Sequence, residues 1–227
     1  RFFVDVYYIR FSSKYLDGSQ APIRAQLFVP RYKERVQRPA YVFATGSTGI
    51  IDVCRPSREH IAGVNWGLYR VHMLSHAGQG NIAMLPDYTG FGDPDRMQPY
   101  YVARAEAMML LDAIRALRTF FQEQDFLVQP YPGVFLAGYS QGGNAIFAAA
   151  DYRDSYAPDV EIAGIIGYGP ARGVEDLFRE FTVSAPLVIY TYSQIYGEDR
   201  FNPSLILQDR WLNRLEYDVT RLCIVGI

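Results

Sequence analysis

The chain has 227 residues, 49% of them hydrophobic and 20% charged, with a formal net charge of −2 and an isoelectric point near 5.9. That is enough chain for one substantial core, and the composition is that of a soluble globular protein rather than a disordered one. The mild acidity gives no electrostatic footing for nucleic acid, and the longest apolar runs, such as IAGII at 162–166, are too short to span a bilayer.

The first segments, FFVDVYYIRF and APIRAQLFVP, are rich in β-branched and aromatic residues and flank the turn-like LDGSQ, which predicts an antiparallel pair. The sequence starts at Arg1 without an initiator Met or a signal-like segment, and so reads as a mature or excised piece. Four short apolar runs follow, AYVFATG, NIAMLPDY, GVFLAGYS and IAGIIGYG, and three of the gaps between them can each hold a helix. Such alternation predicts a mostly parallel sheet with crossover helices on its faces.

The clearest helix is expected over 102–121, where Ala103, Ala107, Leu110, Leu111, Ile114, Leu117 and Phe121 recur at helical spacing and Arg104, Glu106, Arg115 and Arg118 face elsewhere. NAIFAAAD predicts another. After Pro170 the style changes to VEDLFREF, APLVIYTYSQIYG and PSLILQDRWLNRLEY, which look helical or aromatic-rich. Residues 1–170 are therefore expected to form the core, and 171–227 to begin a cap or lid inserted after the sixth strand. Cys54 and Cys223 are too few for a disulfide framework; their number alone favours two buried thiols, with a single bridge open to a secreted protein.

Gly138, Ser140 and Gly142 form Gly-x-Ser-x-Gly at the junction of the expected strand GVFLAGY and the expected helix QGGNAIFAAA. This is the context of a nucleophile elbow, in which a sharp strained turn lifts the serine hydroxyl above the sheet of an α/β-hydrolase. The bland alternative is a tight structural turn. The helix start would aim free N–H groups and the positive end of its dipole at the space above Ser140, with Gln141 giving one oxyanion contact. A second donor is expected from ATGSTGI, where Gly46 and Gly49 permit close backbone approach; Ser47 is the choice and Thr48 the next.

Three stretches together, GSTGIIDVCRPS at 46–57, LPDYTGFGDP at 85–94 and LAGYSQGGNA at 136–145, resemble the secretory lipase family of α/β-hydrolases in order and spacing, over about 40–200. The resemblance implies hydrolysis of carboxylic esters, often acylglycerols, by a Ser-Asp-His triad with no metal or other cofactor. It also implies a helical cap after the strand IAGIIGYG, touching lipid interfaces transiently, and a secreted or extracytoplasmic location. Cys54 falls where the family has a cysteine that can be tied to the cap, so a Cys54–Cys223 bridge is implied. Many relatives carry His-Gly-Thr-Thr-Gly where this chain has Thr45–Gly49, a departure in the oxyanion loop.

The triad is incomplete on the sequence. In this fold the order is Ser, then acid, then His, whereas His60, His72 and His76 all precede Ser140. His72 and His76 lack the Glu of a zinc-binding His-Glu-x-x-His and read as surface or packing residues. Glu175 and Asp176 are conceivable triad acids but resemble a helix first turn, and Asp87 and Asp93 read as turn formers. The economical expectation is that the C-terminal part of the fold, with acid and base, lies beyond Ile227. Competing readings are a peptidase or a short-chain or aryl esterase on the same fold, and a non-catalytic binding module; the favoured reading takes a small-molecule ester or lipid substrate, with no nucleic acid and no membrane span.

Overall fold

The computed structural model describes residues 1–59, 68–170 and 173–227. Strands β1 (Val4–Lys14) and β2 (Gln20–Pro30) form the expected hairpin, paired from Val4↔Pro30 to Lys14↔Gln20. Gly18, at φ 85°, supplies the left-handed residue of its turn, and the Asp17 carboxylate accepts from the Ser19 N–H at 2.9 Å.

The alternation then appears as β3 (Val36–Ala44), α1 (Leu68–Gly78), β4 (Ile82–Pro86), α2 (Ala103–Glu123), β5 (Val128–Tyr139), α3 (Gln141–Tyr156) and β6 (Ile162–Tyr168). The sheet order is β1-β2-β4-β3-β5-β6; β4, β3, β5 and β6 are mutually parallel, and β2 alone runs against its neighbours.

Side-chain alternation explains why the sheet is covered on both faces. In β3, Ala40, Val42 and Ala44 point into one core with α2 and α3, while Tyr41 and Phe43 point into a second core with Tyr69, Met73 and Ala77 of α1. In β5, Val134 and Leu136 join the first core and Ala137 the second. Fully burying a Leu such as Leu27 or Leu136 stabilises the fold by about 1.5–3 kcal/mol.

Helix α2 presents its expected apolar stripe at Ala107, Leu110, Leu111, Ile114, Leu117 and Phe121. Two residues of its first turn depart from the periodicity: Ala103 is exposed, and Glu106, expected to face away from the core, is 2% exposed. The reason is tertiary. The first turn of α2 lies against α3 and the turn at Tyr101, both of which bond to the Glu106 carboxylate.

Beyond β6 come three helices, α4 (Val174–Glu180), α5 (Ala185–Tyr196) and α6 (Asp209–Val219). They build a third core from Leu177, Leu187, Val188, Ile189, Leu215 and Val219, closed by Ile50, Tyr100 and Tyr101 from the segments after β3 and β4. No helix among the described residues is long and apolar enough to cross a membrane.

Candidate active site

Ser140 joins β5 to α3 with φ 51° and ψ −111°, a backbone conformation that costs a non-glycine residue about 1–3 kcal/mol. The surrounding packing imposes it. A Cβ on Gly142 would lie 2.0 Å from the Ala44 carbonyl oxygen, and one on Gly138 would lie 2.1 Å from that of Gly142, so only glycines let the turn close against β3. The Ser140 N–H donates to the Tyr168 carbonyl at 3.0 Å, fixing the elbow to the end of β6. Ser140 is partly exposed and borders a cleft of about 440 Å³ together with Gly169, Pro170, Asp176, Leu177, Glu180 and Phe181.

Gln141 is the first residue of α3, so its N–H has no partner within the helix. Its side chain is fully buried, and Nε2 donates to Glu106 Oε1 at 2.7 Å. The same carboxylate oxygen accepts the Tyr101 N–H at 3.2 Å, and the Asn144 side chain also donates to the group. Desolvation pushes the Glu106 carboxyl up to about 7, against the lowering effect of these donors.

Ser47 is 8% exposed, and its Oγ is 2.5 Å from the buried Tyr100 hydroxyl. The next aromatic, Tyr101, carries its hydroxyl to a point where it interacts with both Ser47 and Ser140. The structure thus brings Ser47, Ser140 and Gln141 to one end of the sheet. Thr48, the second choice, is buried, and its carbonyl accepts the Ile224 N–H at 2.9 Å. The loop glycines answer to protein neighbours: a Cβ on Gly46 would meet Tyr69 Oη and Tyr139 Cδ1 at 2.7 Å, and one on Gly49, at φ 131°, would meet Cys54 Sγ at 2.8 Å.

Cys54 and Cys223 are joined by a disulfide with Cα atoms 5.5 Å apart. Two buried thiols, favoured by cysteine number, are therefore excluded, and the pairing implied by the resemblance holds. With the Ile224–Thr48 bond it ties the segment after α6 to the loop that carries Ser47.

His60 lies outside the described residues. His72 and His76 are packing residues on α1: His72 Nε2 is 2.9 Å from the Tyr41 hydroxyl, and the His76 ring stacks on Tyr41 at 4.1 Å. Burial lowers both imidazole pKa values, favouring neutral rings. Glu175 and Asp176 occupy the first turn of α4, as their pattern predicted.

Asp93 makes a turn, accepting the Asp95 N–H at 3.0 Å, and also accepts the Tyr15 hydroxyl at 2.8 Å. Asp87 is more than a turn former. Fully buried, it accepts the Ser57 N–H at 2.8 Å and the Ser57 hydroxyl at 2.6 Å, clamping the segment after Cys54 to the end of β4. No group of three or more His, Cys, Asp or Glu among the described residues could hold a metal ion.

Sequence reasoning missed Tyr100, Tyr101 and Glu106. The signal for Glu106 was weak, since an acid in a helix first turn is ordinarily explained by the helix dipole. Nothing local marks Tyr101 as facing a serine 39 positions away in the chain, or Tyr100 as meeting Ser47.

The sheet order, the strand-turn-helix at Ser140 and the helices on both faces define an α/β-hydrolase fold. Residues 58–185 match the secretory lipase family, and the chain belongs to it. A curated relative, Lipase A of Moesziomyces aphidis, is 28% identical over 130 residues, which are 56% of this chain and 25% of that protein. Candida antarctica lipase A in its closed state superposes with a TM-score of 0.70 at 18% identity, covering 96% of this chain and 50% of that one. The rice cell wall degrading esterase LipA from Xanthomonas oryzae gives a TM-score of 0.75 at 18% identity, covering 98% and 61%. The chain thus spans a quarter to about three fifths of the length of these relatives.

Proposed function

We propose that the full protein is a serine hydrolase of carboxylic esters, lipase-type, acting through an acyl-enzyme on Ser140. The observation that carries this reading is the Ser140 backbone at φ 51° and ψ −111°, held between β5 and the first turn of α3 by glycines that no larger residue can replace. Strain of this kind persists only where packing over-determines it, and here it lifts a hydroxyl to the edge of a cleft. Ser140 Oγ attacks the ester carbonyl as its proton passes to the triad histidine that the family implies, the carbonyl π pair moves onto oxygen, and the N–H groups of Gln141 and Ser47 stabilise that oxygen. Collapse re-forms the C=O bond and breaks the ester C–O bond, the alcohol leaves with that proton, and water then attacks the acyl-enzyme to release the acid and restore the Ser140 hydroxyl. Neither His72 nor His76 serves as base, since both are engaged with Tyr41.

The segment from Gly173 onward acts in this reading as the beginning of a cap. It has its own core, and it leaves Leu205, Ile206, Trp211 and Tyr217 exposed, an apolar surface suited to transient contact with a lipid interface. The family is named for secretion, and the Cys54–Cys223 bridge suits an oxidising compartment, which supports an extracytoplasmic location.

The test is fluorophosphonate labelling of the full-length protein followed by peptide mapping. Label on Ser140, absent in Ser140→Ala along with hydrolysis of p-nitrophenyl esters, is the expected result. A folded full-length protein that neither labels nor hydrolyses any ester of the series is not an esterase.

A further inference from the structure

Tyr101 combines three features that ordinary packing does not require of one residue. Its backbone has φ 56°, and Tyr101 and Ser140 are the non-glycine residues with positive φ among those described. The residue is 8% exposed, with its ring set edge-on to Tyr100 at 4.7 Å. Its hydroxyl is fully removed from solvent, yet has no aligned hydrogen-bond partner, although it faces the hydroxyls of Ser140 and Ser47. A buried hydroxyl left in this state costs about 1–3 kcal/mol, and a left-handed tyrosine a comparable amount. Phenylalanine would fill the same space without the first of these costs.

The strained turn is held from both sides. Glu106 accepts the Tyr101 N–H at 3.2 Å, and the Tyr192 hydroxyl of α5 donates to the Tyr101 carbonyl at 3.0 Å. Tyr100 is committed elsewhere, its hydroxyl on Ser47. What the turn leaves over is one O–H donor, pre-positioned between the serine that would attack and the loop that would receive the oxyanion.

We propose that the Tyr101 phenol is a catalytic hydrogen-bond donor to the ester carbonyl oxygen, adding a side-chain contact to the backbone N–H groups of Gln141 and Ser47. The inference rests on the reading of Ser140 as nucleophile. As the Ser140 Oγ–C bond forms and the serine proton passes to the triad base, the C=O π pair becomes a lone pair on oxygen and the phenol O–H turns to it; when the intermediate collapses, that pair re-forms the C=O bond, the ester C–O bond breaks, the alcohol leaves with the base's proton, and the phenol is again unpaired. The phenol keeps its proton throughout, because burial raises its pKa and leaves the neutral donor form in place. The hydroxyl is unsatisfied in the resting site and satisfied at the transition state, the condition under which a contact accelerates the reaction rather than merely tightening binding.

The experiment compares wild type, Tyr101→Phe, Tyr101→Leu and Ser140→Ala in the full-length protein, using p-nitrophenyl butyrate and thermal unfolding. Expected for Tyr101→Phe is a fall in kcat of about 10–100-fold with KM within about twofold, while Tm stays equal or rises because an unpaired hydroxyl has been removed. Tyr101→Leu should lose at least as much kcat. Wild-type kcat in Tyr101→Phe overturns the inference alone, as does a loss of kcat that tracks a loss of Tm across both variants. A wild-type protein without label or activity at Ser140 overturns the underlying reading and this inference with it.

Discussion

Gln141 Nε2 donates to Glu106 Oε1 across 2.7 Å, joining the first residue after Ser140 to a carboxylate buried in the first turn of α2. Because the same oxygen holds the Tyr101 N–H, one acidic group fixes both the start of α3 and the turn that carries the two tyrosines. Glu106 is thus a positioning residue, and its ionisation links the site to pH.

Burial raises the Glu106 carboxyl to about 7 from an ordinary value of 4.5, so the native state binds this proton more tightly than the unfolded chain. The stability it contributes is fully present below about pH 4.5 and is lost as pH rises through about 7. Glu106→Gln keeps an acceptor for Gln141 and Tyr101 but removes the charge. Relative to wild type, the variant should gain up to about 3 kcal/mol between pH 4 and pH 8 in urea denaturation. A stability difference independent of pH would show that Glu106 does not titrate in this window.

Asp87→Ala should lower stability by about 2–3 kcal/mol, because the buried Ser57 N–H and hydroxyl lose their acceptor. Asp87→Asn, which retains one acceptor oxygen, should lose less. Chemical denaturation at pH 8, above the value of about 6 to which burial pushes the Asp87 carboxyl, gives the comparison for the ionised clamp.

Gly142→Ala should cost about 3 kcal/mol or more and abolish ester hydrolysis, since its methyl would collide with the Ala44 carbonyl oxygen at 2.0 Å, a backbone atom that cannot swing aside. Gly78→Ala supplies the contrast. Gly78 is helical with open space where the methyl would go, so the change should be neutral or stabilising by up to about 1 kcal/mol. Thermal melts of the two variants measure both effects.

Reducing the Cys54–Cys223 bridge, which closes a loop across 169 positions, should destabilise the protein by up to about 5 kcal/mol on chain-entropy grounds. The fall in Tm under reductant should vanish in the Cys54→Ala, Cys223→Ala double variant. Two alkylatable thiols in the untreated, denatured protein would contradict the bridge.

The sequence by itself determined the alternating strands and helices, the hairpin at LDGSQ and the elbow at Ser140. Those features are local: apolar period, turn chemistry, and glycines at fixed offsets from one serine. It also brought out Ser47 and Gln141 as neighbours of Ser140, because their places follow from where strands end and helices begin.

The tertiary structure alone decided what Glu106, Asp87 and Tyr101 do, and it settled the cysteines, whose number favoured free thiols while the family resemblance implied the bridge. Periodicity sent Glu106 outward with Arg104, Arg115 and Arg118, since a pattern along one helix carries no information about the second helix that covers its first turn. Cysteine number favoured free thiols, since two residues 169 positions apart become a bridge only when folding brings their Cα atoms to 5.5 Å. Nothing in its sequence neighbours marks Tyr101. Its meaning lies in a left-handed backbone and an unpaired hydroxyl facing Ser140, and both are set by partners from α2 and α5 rather than by its sequence neighbours.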